Sequence, residues 1–214
     1  MLSVKNLNLK FTKEFYALED INLEIDDGES VAFVGELESG KTTLLRVLAK
    51  LEDFDSGEIY FNHIPIKKVD FRTDISVGYV PYCPVFLENK TVYDNFRYIL
   101  NKKGYKPAEA EKLINNAIIE YSIEKIINEK VKNIRKEDKY ILSLIRLSFR
   151  KLDLLLVDNI FDEISDVYID AILSLILKLK ESNTTLILAC TRPEIAEKIC
   201  KRKIYFEHGK VVDD

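Results

Sequence analysis

The chain has 214 residues, a formal net charge of −4, 47% apolar residues and 32% charged residues. This is enough for one domain with a real core, or for a domain with a small appendage, and the acidic balance gives no general reason to expect nucleic acid. No segment approaches about 20 uninterrupted apolar residues, so no membrane-spanning helix is expected, and Met1-Leu2-Ser3-Val4-Lys5 lacks the charged-then-apolar order of a signal peptide.

Lys130, Lys132, Arg135, Lys136 and Lys139 cluster, but Glu129, Glu137 and Asp138 interleave with them, as on a solvated helix face. The three cysteines, Cys83, Cys190 and Cys200, show no metal-ligand spacing, and their odd number points to reduced, buried thiols.

The first part of the chain alternates. Leu2, Val4, Leu7, Leu9 and Phe11 predict one strand, and Ile21, Leu23 and Ile25 a second. After the turn Asp26-Asp27-Gly28-Glu29, the apolar strand Ser30–Val34 runs into a glycine-bearing loop. A helix is predicted from about Lys41 to Lys50, then short strands at Gly57–Phe61 and Ser76–Val80. From about Thr91 to Arg150 the periodicity is helical, with Pro107 suited to a helix start. Alternation then returns. Leu154–Val157 and Leu186–Ala189 read as buried strands, Val167–Leu179 and Pro193–Cys200 as helices, and Lys203–Phe206 and Val211-Val212 as edge strands. Strand–helix alternation broken by an all-helical insert is an α/β pattern with a helical subdomain.

The loop Gly35-Glu36-Leu37-Glu38-Ser39-Gly40-Lys41-Thr42 matches G-x-x-x-x-G-K-[ST] and sits between an apolar strand and a helix, as a phosphate-binding loop must. Its backbone N–H groups and the helix N-terminus suit a β-phosphate. Lys41 is expected to reach the β- and γ-oxygens, Thr42 to ligate Mg²⁺ and Thr43 to bond the α-phosphate. Glu36 and Glu38 are out of character in a loop meant for polyanions, and their side chains are expected to point outward. A second acidic residue at a neighbouring strand end completes a magnesium site. Asp158, at the end of Leu154–Val157, fits.

With these segments in place, the whole chain resembles an ABC-type nucleotide-binding domain. Tyr16–Ile25, Leu51–Ile59 with its Ser56-Gly57-Glu58-Ile59, Val77–Pro81, Thr91–Asn95 and Phe206–Val212 follow that family's order and spacing. The resemblance implies a P-loop NTPase core of mostly parallel strands with an antiparallel β subdomain and a helical subdomain. It gives one domain over 1–214, with the ATP-binding core at about 1–90 and 151–214 and the helical part at about 91–150. It also implies an aromatic residue stacked on adenine, for which Phe11 stands at the corresponding place with Phe15 and Tyr16 as rivals.

Other positions depart from the family. Tyr82 stands for the Q-loop glutamine, Asn159 for the glutamate after the Walker B aspartate, and Thr191 for the switch histidine. The signature loop aligns with Ile134-Arg135-Lys136-Glu137-Asp138, and no glycine lies between Gly104 and Gly209. The two histidines, His63 and His208, fall in predicted turns. Asn159 cannot accept a proton near neutral pH. Asp162 and Glu163 lie close by as substitute bases, with nothing in the sequence to single out either.

The resemblance therefore implies ATP and Mg²⁺ binding with weak or absent hydrolysis. It implies head-to-tail pairing with a second nucleotide-binding domain, homo- or heterodimeric, and a separate transmembrane subunit that holds the chain at the cytoplasmic face of the membrane. Residues 82–98, with Val85, Phe86, Leu87, Tyr93 and Phe96, would supply much of that docking surface or pack in the core. Two other readings stay open. One is a regulatory or scaffolding pseudo-ATPase that uses ATP as a structural ligand. The other is an active P-loop ATPase or kinase of another family.

Overall fold

The computed structural model describes residues 2–12, 14–180 and 183–212, with the Glu163 side chain outside the described set. The chain divides into two compact units, one of residues 1–82, 152–163 and 180–214, the other of 83–151 and 164–179.

The first unit opens with β1 (Leu2–Lys10) and β2 (Tyr16–Ile25), followed by β3 (Ser30–Val34), α1 (Lys41–Leu48), β4 (Ser56–Phe61), β5 (Ile64–Pro65) and β6 (Val77–Val80). After the second unit it resumes with β7 (Leu154–Asp158), a 3-10 turn at Ile160–Glu163, β8 (Thr185–Cys190), β9 (Arg202–Glu207) and β10 (Lys210–Val212). A four-stranded antiparallel sheet has the order β2-β1-β4-β5, and a six-stranded sheet the order β10-β9-β3-β8-β7-β6. In the second sheet every pairing is parallel except β9 with β10.

The patterns in these strands have physical causes. In β1 the buried residues Val4 and Leu7 are three apart, which strict alternation forbids. A register shift between them, with Asn6 at φ 46°, returns Leu7 to the inner face. Strands β7 and β8 are buried along their whole length, so they read as unbroken apolar runs, as central parallel strands do. Lys203–Phe206 was expected at an edge, but β9 lies between β3 and β10, and only β10 closes that side. Its alternating burial reports one solvated face and says nothing of how many neighbours it has. Both histidines occupy two-residue hairpin turns with positive φ at both positions, Asn62-His63 between β4 and β5 and His208-Gly209 between β9 and β10.

The second unit contains α2 (Val92–Lys102), α3 (Pro107–Tyr121), α4 (Lys136–Leu147) and α5 (Asp166–Leu179). Thr91 caps α2 by accepting from the Asp94 N–H at 3.0 Å, and Glu109 of α3 accepts from the Lys106 N–H at 3.0 Å, with Pro107 at the first position. Phe96, Leu100, Ile114, Leu142, Ile145 and Phe149 belong to the unit's core, where the Phe96 and Phe149 rings meet edge-on at 5.2 Å. A salt bridge from Lys178 to Glu120 ties α5 to α3.

Of the cysteines, Cys190 and Cys200 are buried as expected, but Cys83 is exposed. It lies in the loop beyond β6, where no strand periodicity forces a side chain inward.

Candidate functional site

The site is built where β3 turns into α1. Gly40 caps the helix at φ 104°, a conformation that favours glycine, and no side chain caps the helix and no acid stands in its first turn. The helix start is therefore left to an incoming anion. Backbone approaches demand both glycines. A Cβ on Gly40 would sit 2.8 Å from the Ala17 carbonyl oxygen, and one on Gly35 only 2.2 Å from that of Phe206. The β9–β10 turn braces the loop from behind. The Gly209 N–H donates to the Ser39 carbonyl at 3.0 Å, while the Gly209 carbonyl accepts from the Glu19 N–H at 2.8 Å.

Lys41 is almost wholly buried at 2% exposure. Its Nζ donates to the Gly35 and Glu36 carbonyls at 2.7 Å each and to Ser39 Oγ at 3.0 Å. Burial pushes its pKa down, and the nearby charges of Asp162, Cys190, Asp158 and Glu36 oppose that shift. The loop thus wraps around its own cation.

At the end of β7, Asp158 is fully buried. Its Oδ1 accepts from Thr42 Oγ1 at 2.7 Å and from Asn159 Nδ2 at 3.3 Å, and its Oδ2 accepts from the Tyr79 hydroxyl at 2.9 Å. Burial raises the carboxyl above its ordinary value, while the Thr42 and Tyr79 hydroxyls and the charges of Lys41 and Arg46 hold it back. Burial and the neighbouring Asp158 raise the Tyr79 phenol in turn. Thr42 and Asp158 offer two hard oxygens side by side. That fits Mg²⁺, which keeps several waters and takes its other ligands from phosphate. Among the described residues, no group of three or more His, Cys, Asp or Glu could hold a metal unaided.

A cavity of about 490 Å³ opens over the loop, lined by residues 37–43 with Phe11, Phe15, Ala17, Tyr82 and Asn159. That volume lies within the usual range for small-molecule sites. Phe11 and Phe15 are both more than half exposed and stack at 6.3 Å between centroids. Tyr16 lies instead under Lys10 Nζ at 4.4 Å. Gly35 and Glu36 line an adjoining cavity with Thr191 and Tyr205. Glu36 and Glu38 are exposed, yet Glu38 still lines the Lys41 cavity, and its φ of 64° is unusual for a non-glycine residue.

Asn159 turns its amide back toward the loop, donating from Nδ2 to Thr42 Oγ1 at 3.4 Å as well as to Asp158. Thr191 donates from Oγ1 to Asp162 Oδ1 at 2.7 Å. In the second unit, Lys136, Glu137 and Asp138 form the first turn of α4, with Arg135 held by Asp138 at 3.0 Å and stacked on Tyr168 at 5.6 Å. Sequence reading missed Tyr79, Ala17 and the pairing of Asp162 with Thr191. The first two leave only a trace of strand alternation, and the pairing leaves none.

Comparison with known proteins agrees with this architecture. A family model described as "ABC transporter" matches residues 18–162. The methionine import ATP-binding protein MetN of Clostridioides difficile is 28% identical over 220 residues, covering 100% of this chain and 68% of that protein. The sulfate/thiosulfate import ATP-binding protein CysA of Pseudomonas aeruginosa is 40% identical over 111 residues, covering 51% of this chain and 33% of that protein. Among solved structures, a dimeric ATP-binding cassette in a post-hydrolysis state, bound to ADP and Pi, superposes with a TM-score of 0.87 at 23% identity, covering 100% of this chain and 97% of that one. The cbiO1 protein of Clostridium perfringens, part of the ABC transporter complex cbiONQ, gives 0.83 at 22% identity, covering 99% of this chain and 86% of that one. A phosphate loop closed around Lys41, a buried aspartate bonded to Thr42, and a family match over most of the chain lead to one conclusion: the chain belongs to the ABC transporter family, as a nucleotide-binding domain.

Proposed function

We propose that the chain is the ATP-binding subunit of an ABC-type transporter, that it binds ATP with Mg²⁺ over the 35–42 loop, and that it hydrolyses ATP only weakly. The observation that carries the binding half is Lys41, buried and held by three loop oxygens beneath an uncapped helix start, with the Thr42–Asp158 pair beside it. Phosphates then meet preset donors, Mg²⁺ would neutralise phosphate charge between Thr42 and Asp158, and Phe11 or Phe15 would stack on the base.

The weakness of hydrolysis rests on Asn159, which stands beside Asp158 with an amide where a proton acceptor is required. Tyr82, Thr191 and the glycine-free α4 start remove further family groups. Losing a general base costs about 10²–10⁴-fold in rate, and the losses are not additive.

The chain is read as one nucleotide-binding domain over 1–214 with its helical subdomain at about 91–150. It would pair with a second such domain and dock on a separate transmembrane subunit at the cytoplasmic face. Among the described residues, no helix is long and apolar enough to cross a membrane. Of the docking candidates, Val85 at 67% and Leu87 at 44% exposure favour that role, Phe86 and Tyr93 are half-buried, and Phe96 is fully buried in the helical core.

Asn159 also favours a second reading, a pseudo-ATPase that holds ATP as a structural ligand. Thermal melts with ATP–Mg²⁺ beside a phosphate-release assay test the proposal. A melting shift with slow release supports it, and turnover at ordinary transporter rates or no shift at all refutes it. Co-purification with a membrane subunit separates the transporter reading from the scaffold.

A further inference from the structure

Two buried oxygens beside the phosphate loop have no hydrogen-bond partner among the described residues: Asn159 Oδ1 and Asp162 Oδ2. Leaving a buried acceptor unpaired is costly, and such atoms in a folded protein usually await a water or a ligand. These two are linked. The Asp162 N–H donates to the Asn159 carbonyl at 3.4 Å, starting the 3-10 turn of Ile160–Glu163. Asn159 lines the cavity over the phosphate loop, and Thr191, which holds Asp162, lines the adjoining cavity with Gly35 and Glu36.

Each side chain is also held. Asn159, at 5% exposure, has its Nδ2 engaged by Thr42 and Asp158, which leaves the oxygen as its free end. Asp162 has one oxygen taken by the Thr191 hydroxyl at 2.7 Å, which leaves the other carboxylate oxygen unengaged. The Asp162 carboxylate is also foremost among the charges that oppose the downward shift of the Lys41 ammonium.

We propose that Asp162 is the general base of a slow ATP hydrolysis in this chain, with Thr191 and Asn159 as its positioning residues. The proposal rests on the reading of the cavity as an ATP site. A water donating one hydrogen to Asn159 Oδ1 and the other to Asp162 Oδ2 keeps its lone pairs for attack. Its oxygen bonds the γ-phosphorus as its proton passes to Asp162 Oδ2. The bond from the γ-phosphorus to the bridging oxygen breaks, and that electron pair leaves on ADP. Asp162 then returns its proton to the released phosphate or to solvent, which restores the carboxylate. The carboxylate missing from position 159 is thus replaced from three residues on, and its anchor is the threonine at position 191.

The test uses the purified full chain with ATP–Mg²⁺, measuring single-turnover phosphate release and, separately, ATP binding by calorimetry. Asp162→Asn keeps the shape and the acceptor for Thr191. It is expected to slow release about 10²-fold while the dissociation constant stays within about twofold. Asn159→Glu supplies a carboxylate at the neighbouring position. It is expected to raise turnover and to shrink the effect of adding Asp162→Asn to less than about threefold, as two residues sharing one role are non-additive. Thr191→Val is expected to slow release without weakening binding, and Thr191→Ser to restore it. Release by Asp162→Asn at the wild-type rate overturns the proposal, as does a wild-type chain that binds ATP but releases no phosphate above a protein-free control. Failure to bind ATP instead refutes the reading of the cavity, and this proposal with it.

Discussion

Deleting one hydroxyl probes how the magnesium-site carboxylate is held. Asp158 is fully buried, and the Tyr79 hydroxyl at 2.9 Å is what its Oδ2 accepts from, while Thr42 and Asn159 serve Oδ1. Tyr79→Phe keeps the ring and removes that donor. A hydrogen bond to a charged group contributes about 1.5–3 kcal/mol, so a loss of about 2 kcal/mol is expected. For a chain of this size that lowers the melting temperature by roughly 4–8 °C. The pH dependence has a definite sign. Burial already raises the Asp158 carboxyl in the folded state, so the cost of its charge is absent at acid pH and grows as pH rises through the folded pKa. Removing a donor to the carboxylate raises that pKa further. The variant's deficit should therefore be full at pH 8 and shrink as the pH falls toward the ordinary carboxylate range. Thermal melts in EDTA without nucleotide, repeated in an Asp158→Asn background, measure this. A Tyr79→Phe melt within about 1 °C of wild type at pH 8 refutes the reasoning, as does an equal loss in the Asp158→Asn background.

Three further outcomes follow from the same geometry. Lys41→Met keeps the buried volume but removes the charge; if affinity falls 100-fold, the stabilisation at nucleotide 100 times the wild-type dissociation constant drops from about 2.7 to about 0.4 kcal/mol, readable as a collapsed ATP–Mg²⁺ melting shift. Glu38→Gly frees a residue held at φ 64° and removes a carboxylate from the cavity rim; ATP affinity is expected to rise up to about fivefold at low salt, an advantage that added salt erodes, and calorimetry at two ionic strengths checks it. Of the three thiols, only exposed Cys83 should react quickly with a thiol reagent at pH 8, because burial pushes Cys190 up to about 11 and Cys200 up to about 12; denaturant should release the other two. Keeping those thiols neutral stabilises the fold below about pH 9 and ceases to do so as pH climbs toward 11–12, so alkaline titration should lower the melting temperature.

The strand–loop–helix of residues 30–48 was legible because its chemistry is local: an apolar run, two glycines at the required spacing and a lysine at the helix start. Asp158 was legible for a similar reason, since it ends a run buried on every side. What escaped depends on register and on distant pairing. Tyr79 meets Asp158 only because β6 lies parallel to β7 with Tyr79 opposite Leu156, a pairing that no local pattern encodes. Leu7 was read into the first strand, but the shift at Asn6 that puts it on the inner face three residues after Val4 was not visible in that spacing. The α5 segment reads like one more helix of the strand–helix alternation, yet its packing partners place it in the helical unit. For the base-stacking aromatic, Phe11 and Phe15 share the cavity and each other's faces, so the rivalry between them persists, while Tyr16 is drawn off by Lys10.

The brace behind the phosphate loop also sets the order in which the chain can assemble. Ser39 is held by Gly209, and β3 lies between β8 and β9, both made long after it. At about 5–20 residues per second, the ribosome needs roughly 10–30 s to make the ~170 positions between them. Through that interval β3 is an apolar strand with neither neighbour in the sheet, the kind of bare edge that invites mispairing. The phosphate loop likewise lacks its brace until Gly209 is made. Holding β3 apart until then falls to whatever shelters the nascent chain.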